Sequence, residues 1–191
     1  MEKNFFNLID PVTDYIDSGK FFRQPLQWLY YIIGVLCACA PLYLLYELID
    51  NRFFKYAEGK EIFAVILIWI VLAAVCLGCF LLWFNRAKKL SGILTPGSKF
   101  VAVPAVANFI QTLGEFYGLF VGVFGFICCL LMALFDIDFY MPGPFSPSAS
   151  VLSAIIMAIT GYVVIIVTRY IAELVLSIAD IANNTDRLVK K

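Results

Sequence analysis

The chain has 191 residues, of which 62% are hydrophobic and 15% are charged, and its mean hydropathy is +0.90. Soluble domains are about 45–50% apolar and about 25% charged. This composition therefore indicates a membrane protein and excludes disordered, collagen-like and soluble α/β classes. The 14 Lys and Arg residues balance the 14 Asp and Glu residues, which leaves no net basic charge to attract nucleic acid. We expect no nucleic-acid partner.

Histidine is absent from the sequence. Because imidazole is the commonest general base and metal ligand, its absence excludes Ser-His-Asp and Cys-His catalysis and any zinc site that needs a histidine. We therefore predict a protein that is not an enzyme and that has no cofactor or catalytic residue.

The first predicted segment, residues 1–27, precedes the long apolar runs. Asp10 followed by Pro11 favours a helix start and Gly19 favours a stop, with apolar residues at helical spacing between them. The pattern predicts an amphipathic helix that lies on the bilayer surface. A disordered tail is the alternative.

Four apolar runs follow. A helix of about 20 apolar residues crosses the hydrocarbon core, and lipid requires every backbone polar group to be hydrogen-bonded internally. The predicted spans are 28–48, 62–84, 109–135 and 151–168. The predicted fold class is all-α: an integral membrane four-helix bundle over residues 28–191 with an interfacial N-terminal helix. Aromatic residues at the span ends, among them Trp28, Tyr30 and Trp83, are typical of interfacial belts.

The basic residues predict the orientation of the chain. Three of them lie in the loop after the first span: Arg52, Lys55 and Lys60. The other eleven lie on the side that carries both termini: Lys3, Lys20, Arg23, Arg86, Lys88, Lys89, Lys99, Arg169, Arg187, Lys190 and Lys191. Since basic residues accumulate in cytoplasmic loops, both termini are expected in the cytoplasm and the protein in a cell (inner) membrane.

Cysteine spacing offers one candidate for chemistry. Cys76 and Cys79 have the C-x-x-C spacing of redox and metal sites. All six cysteines lie within predicted spans, where a thiol behaves as a small apolar side chain. We interpret them as packing residues, with thiol redox as the alternative.

The third span carries a ridge of glycines on one helix face, at steps of four, four and three: Gly114, Gly118, Gly122 and Gly125. Small residues let membrane helices approach closely, so the ridge predicts a helix-packing seam. Ala154, Ala158 and Gly161 in the fourth span are a matching stripe. The pattern leaves open whether the seam lies within one chain or between chains.

A polar stripe at the start of the same span consists of Asn108, Gln111, Thr112 and Glu115. Counting residues from the ends of the spans brings Glu115 and Arg169 to a similar depth, which predicts an ion pair between them. Glu173 is the competing partner of Arg169. Separate interfacial anchoring, or an ion or substrate site at Glu115, are the alternatives.

Beyond Arg169 the last helix is predicted to continue to about residue 183 as a cytoplasmic extension, because polar and apolar residues keep separate faces. The apolar face consists of Ile171, Leu174, Val175, Ile178, Ile181 and Ala182. We expect residues 101–114, the membrane surface or another protein to cover it.

The end of the chain has a sequence likeness. Arg169, Glu173 and Asn184, eleven residues after that glutamate, resemble the last helix of a family of small bacterial membrane proteins of unknown function. The resemblance implies a bacterial inner-membrane protein and no particular activity.

The function predicted from these features is that of a non-enzymatic membrane scaffold or an accessory subunit of a membrane complex. Its partners would be the lipid bilayer and another membrane protein or a second copy of the chain. A small oligomeric transporter or channel that uses the Glu115 stripe is the alternative.

Overall fold

The computed structural model describes residues 20–90, 92, 102–137 and 148–189, and every regular element in these ranges is helical. This confirms the all-α class predicted from the apolar runs. The predicted interfacial helix before Gly19 lies outside the described residues.

The helices are long and follow the apolar runs. The first half of the chain contains α1 (Lys20–Asp50), a short α2 (Phe53–Tyr56) and α3 (Gly59–Leu90). The third span contains α4 (Ala102–Leu119), a π-helical turn (Phe120–Gly125) and α5 (Phe126–Phe135). The last helix is α6 (Val151–Val189).

Four helical stretches are long and apolar enough to cross a membrane: Gln24–Asp50, Gly59–Leu90, Ala102–Phe135 and Val151–Thr185. They make the chain a multi-pass membrane protein. Large apolar side chains cover much of the outer surface, as at Leu36 and Leu152. Such side chains suit contact with lipid.

Two helix ends differ from the sequence prediction. Residues 20–27 are helical and continue directly into the predicted first span as part of α1, since membrane helices accommodate a proline such as Pro25. At the other end, α6 passes Asn183 and Asn184 and ends at Val189. Asparagine inside a helix costs only about 0.7 kcal/mol relative to alanine, so it need not end the helix.

The helices pack as two antiparallel hairpins. The largest interfaces join α1 to α3 and α4 to α6, and α3 packs on the third span and so connects the two hairpins. One end of the bundle, here called the terminal end, contains Lys20, Leu90, Ala102 and Val189. The predicted polar stripe lies toward this end.

Candidate functional site

The carboxylate of Glu115 is held by two side chains near the terminal end. Arg86 Nε donates a hydrogen bond to Glu115 Oε2 at 3.1 Å, and Arg86 Nη2 donates to Glu115 Oε1. Gln111 Nε2 also donates to Glu115 Oε1, at 3.0 Å. The Arg86 and Glu115 side chains are 17% and 21% exposed. Arg86 and Glu115 thus form a bidentate ion pair, which connects α3 to α4 in a partly buried part of the bundle.

The predicted pair between Glu115 and Arg169 is wrong. Arg169 Nε instead lies 3.6 Å from Glu173 Oε1 on the same helix, and both side chains are exposed. The predicted similarity in depth of residues 115 and 169 is correct, since their chain neighbours Gly114 and Thr168 lie against each other. Residue 115 lies about 100° further around the helix, however, and that rotation directs Glu115 toward α3 instead of α6.

A second set of hydrogen-bonded polar side chains lies beside the ion pair and connects α1 to α4. Tyr30 Oη donates to Asn108 Oδ1 at 3.0 Å, and Thr112 Oγ1 donates to the Asn108 carbonyl oxygen at 2.7 Å. Tyr30 and Thr112 are fully buried. The sequence pattern predicts an interfacial belt position for Tyr30, and this prediction is wrong, because the side chain lies inside the bundle.

Trp83 is also internal instead of interfacial. Its ring centroid lies 5.1 Å from that of Tyr30, 6.3 Å from Phe109 and 5.8 Å from Phe116. The side chain is fully buried, and Nε1 has no hydrogen-bond acceptor within the described part of the chain. A buried donor without an acceptor costs about 1–3 kcal/mol, which the aromatic contacts of the large ring offset in part.

The polar cluster as a whole contains the four residues of the predicted polar stripe and two residues outside it, Arg86 and Tyr30. The stripe residues are Asn108, Gln111, Thr112 and Glu115. A usable signal did exist for Arg86. It is the first basic residue after the predicted second span, so the same depth count that favoured Arg169 also brings Arg86 level with Glu115. No sequence pattern links Tyr30 to Asn108.

The glycine seam joins the third span to α6 within one chain. A Cβ added at Gly161 would lie 2.6 Å from the carbonyl oxygen of Gly118 and 2.6 Å from the amide nitrogen of Gly122. A Cβ at Gly125 would lie 3.3 Å from Met157 Cγ. Backbone therefore contacts backbone at Gly161, which only residues without side chains permit.

The π-helical turn Phe120–Gly125 contains two seam glycines, Gly122 and Gly125. A π turn is rare and lengthens the helical repeat locally. A Cβ at Gly122 would lie 3.3 Å from Gly161 Cα, so the turn coincides with the close approach of α6.

The six cysteines are free thiols. Cys76 and Cys79 are buried in an apolar cluster with Leu72, Phe124 and Cys128. No group of three His, Cys, Asp or Glu side chains that could hold a metal ion occurs among the described residues. The C-x-x-C pair thus lies in a packing environment.

Comparisons with known proteins find no family model, no curated protein and no solved structure that matches this chain. The geometry of the site is therefore the basis for a functional argument. The Glu115 carboxylate accepts three hydrogen bonds from Arg86 and Gln111, so its charge is compensated inside the bundle. Such an arrangement fixes α3 against α4.

Proposed function

We propose that this chain is a non-enzymatic membrane scaffold or an accessory subunit of a membrane complex. The observation that carries the proposal is the exposed apolar surface of α6 beyond the predicted fourth span. Ile178 and Ile181 there are 67% and 66% exposed, although both lie on a stretch with the charged residues Glu173 and Asp180. Charged residues are costly in hydrocarbon, so we expect this stretch to leave the bilayer and a protein to cover its exposed apolar residues.

The internal contacts support the same proposal. Of the two contact surfaces that the sequence suggested, the glycine seam is used between the third span and α6. The C-terminal extension of α6 thus remains as the surface for a partner. The proposed location is the inner membrane of a bacterium with both termini in the cytoplasm, supported by the eleven basic residues on the terminal side.

Transport through the Glu115 cluster is the second candidate. The observation that favours it is the 21% exposure of the Glu115 side chain, which leaves part of this charged side chain accessible. An ion that binds there would have to displace the Arg86 guanidinium, and breaking such a pair leaves a charge uncompensated in a partly dry environment.

Two measurements test the proposal. Purified protein is reconstituted into vesicles that contain a pH-sensitive dye, and ion flux is recorded under proton, Na⁺ and K⁺ gradients. A scaffold gives flux equal to that of protein-free vesicles, whereas flux that Glu115→Gln abolishes would establish the transport alternative. In native membranes, a photo-crosslinking amino acid at position 178 should give protein adducts, and adducts to lipid alone would overturn the scaffold proposal.

A further inference from the structure

A buried hydrogen-bond donor distinguishes Trp83 from the other two tryptophans. Trp69 Nε1 donates to the Pro41 carbonyl oxygen at 2.9 Å, and the Trp28 side chain is 68% exposed. Trp83 is fully buried, and its Nε1 has no acceptor among the residues that the structure describes. Aromatic contacts stabilise the ring but do not replace a hydrogen bond to the N–H group. This donor therefore needs an acceptor from another source.

The Trp83 indole lies where α1, α3 and α4 meet, beside two buried hydroxyl groups. Its ring centroid is 5.1 Å from that of Tyr30 on α1. On α4 it contacts Phe109 and Phe116, and Thr112 lies between these two residues on the same helix face. The Thr112 hydroxyl lies beside the Tyr30 hydroxyl, and both side chains are fully buried. The indole and the two hydroxyl groups therefore surround one small polar region inside the bundle.

The two hydroxyl groups offer acceptors in this region and no further donor. Tyr30 Oη donates its only proton to Asn108 Oδ1, and Thr112 Oγ1 donates its only proton to the Asn108 carbonyl oxygen. Each hydroxyl oxygen keeps lone pairs that can accept a hydrogen bond. One unused donor thus lies near two oxygens that can only accept, and no direct hydrogen bond links Trp83 Nε1 to either of them.

We infer that Trp83, Tyr30 and Thr112 bind one ordered water molecule inside the bundle. The water accepts a hydrogen bond from Trp83 Nε1 and donates one each to Tyr30 Oη and Thr112 Oγ1. About three hydrogen bonds to buried polar groups are typical of a buried water. A bridging water is enthalpically nearly as favourable as a direct hydrogen bond, so it satisfies the indole without moving any helix.

The chemistry of the site selects water over an ion. A cation would face the indole N–H group, which donates and cannot accept. An anion would face two hydroxyl oxygens whose protons are already used in hydrogen bonds to Asn108. A ligand in this position has to accept one hydrogen bond and donate two, and a water molecule does both.

The bound water adds a connection between the two hairpins. Tyr30 and Trp83 belong to the hairpin of α1 and α3, whereas Thr112 belongs to the hairpin of α4 and α6. The Arg86–Glu115 ion pair already joins α3 to α4 nearby. The water joins α1, α3 and α4 at a single point. This inference is independent of the scaffold proposal, because such a water stabilises the bundle whichever function it has.

A crystal structure of the full chain, at a resolution that shows ordered waters, tests the inference. Density for one water is expected at about 2.5–3.2 Å from Trp83 Nε1, Tyr30 Oη and Thr112 Oγ1. Absence of density beside Nε1, or a protein side chain or an ion in its place, would overturn the inference.

Vibrational spectroscopy of the indole N–H group gives a second test in detergent. The changes Trp28→Phe and Trp69→Phe leave Trp83 as the only tryptophan of the chain. Its N–H band should then have the frequency of a hydrogen-bonded indole. Adding Tyr30→Phe and Thr112→Val removes both acceptors of the water with little change in shape. The water should leave, and the band should shift to the frequency of a free indole N–H.

The neighbouring Tyr31 supplies the matched control. Its hydroxyl accepts a hydrogen bond from Gln27 Nε2 at 3.3 Å, so Tyr31→Phe should leave the Trp83 band unchanged. A free N–H in the single-tryptophan chain, a band that the Tyr30 and Thr112 changes do not move, or an equal shift with Tyr31→Phe would each contradict the inference. If the variant at positions 30 and 112 does not fold, the density beside Trp83 Nε1 decides alone.

Discussion

Replacing Gly161 with alanine should separate α6 from the third span. The new Cβ would lie 2.6 Å from the Gly118 carbonyl oxygen and 2.6 Å from the Gly122 amide nitrogen. Carbon atoms in good contact lie about 3.5–4.0 Å from their neighbours, so the helices would have to move apart by about 1 Å. Both obstructing atoms belong to backbone, which cannot rotate away as a side chain can.

The size of the effect follows from that movement. A gap of about 0.5–1 Å forfeits roughly a quarter to a half of the dispersion energy of each contact, and overpacking typically costs about 1–3 kcal/mol. Alanine in place of a helical glycine returns about 0.5–1 kcal/mol. We therefore expect a net loss of up to about 2.5 kcal/mol in the free energy of unfolding, with a middle value of about 1 kcal/mol from these two terms.

Thermal unfolding in detergent measures this loss, and the chain supplies a graded control series. A Cβ at Gly78 would lie 3.8 Å from Leu119 Cδ2, an ordinary contact, and a Cβ at Gly122 would lie 3.3 Å from Gly161 Cα. Gly78→Ala should be neutral or stabilising, Gly122→Ala intermediate and Gly161→Ala the most destabilising. Equal stability of the Gly161 and Gly78 variants would refute the reasoning.

Three further predictions concern the ion pair, the cysteines and the orientation. A double-mutant cycle of Arg86→Gln and Glu115→Gln should give a coupling of about 1–3 kcal/mol. The exposed Arg169–Glu173 pair is its internal control and should give only about 0.2–0.5 kcal/mol. Coupling of 115 to 169 without coupling of 115 to 86 would contradict the observed pairing. Replacing all six cysteines by alanine or serine should leave an inserted, folded protein that loses about 1 kcal/mol for each well-buried site. Loss of a defined activity on changing Cys76 or Cys79, with the fold intact, would contradict a packing role. Finally, a cysteine introduced in 139–149 should react with an impermeant thiol reagent from outside the cell, whereas one at position 188 should not. Labelling of position 188 alone would reverse the proposed orientation.

The sequence predicted the fold class because each spanning helix follows a long apolar run. In lipid, a single apolar segment of that length must be helical to satisfy its backbone hydrogen bonds. It also predicted the residues of the glycine seam, because glycines at steps of three and four necessarily share a helix face. Gly161 of the matching stripe lies against Gly118 and Gly122. The spacing of residues along one helix determines which of them share a face, so this property can be predicted from the sequence alone.

The partners across helices could not be predicted in the same way. The depth of a residue can be counted from the end of a span, and the count correctly brought residue 114 to the level of Thr168. Which of several neighbours a side chain faces depends on the rotation of its helix, and one residue changes that direction by about 100°. Glu115 therefore pairs with Arg86. Trp83 and Tyr30 lie inside the bundle, although the enrichment of aromatic residues at membrane interfaces predicts an interfacial position for both.

The packing of α6 rests on a different kind of contact. Lipid supplies no hydrophobic drive for helices to associate, so α6 packs on the third span through close backbone contact at Gly161. Large apolar side chains are exposed along the whole helix, from Leu152 to Ile178 and Ile181, but only the stretch after Arg169 also carries Glu173 and Asp180. Charged residues are costly in hydrocarbon, which is why the contact surface is expected on the extension and not in the membrane.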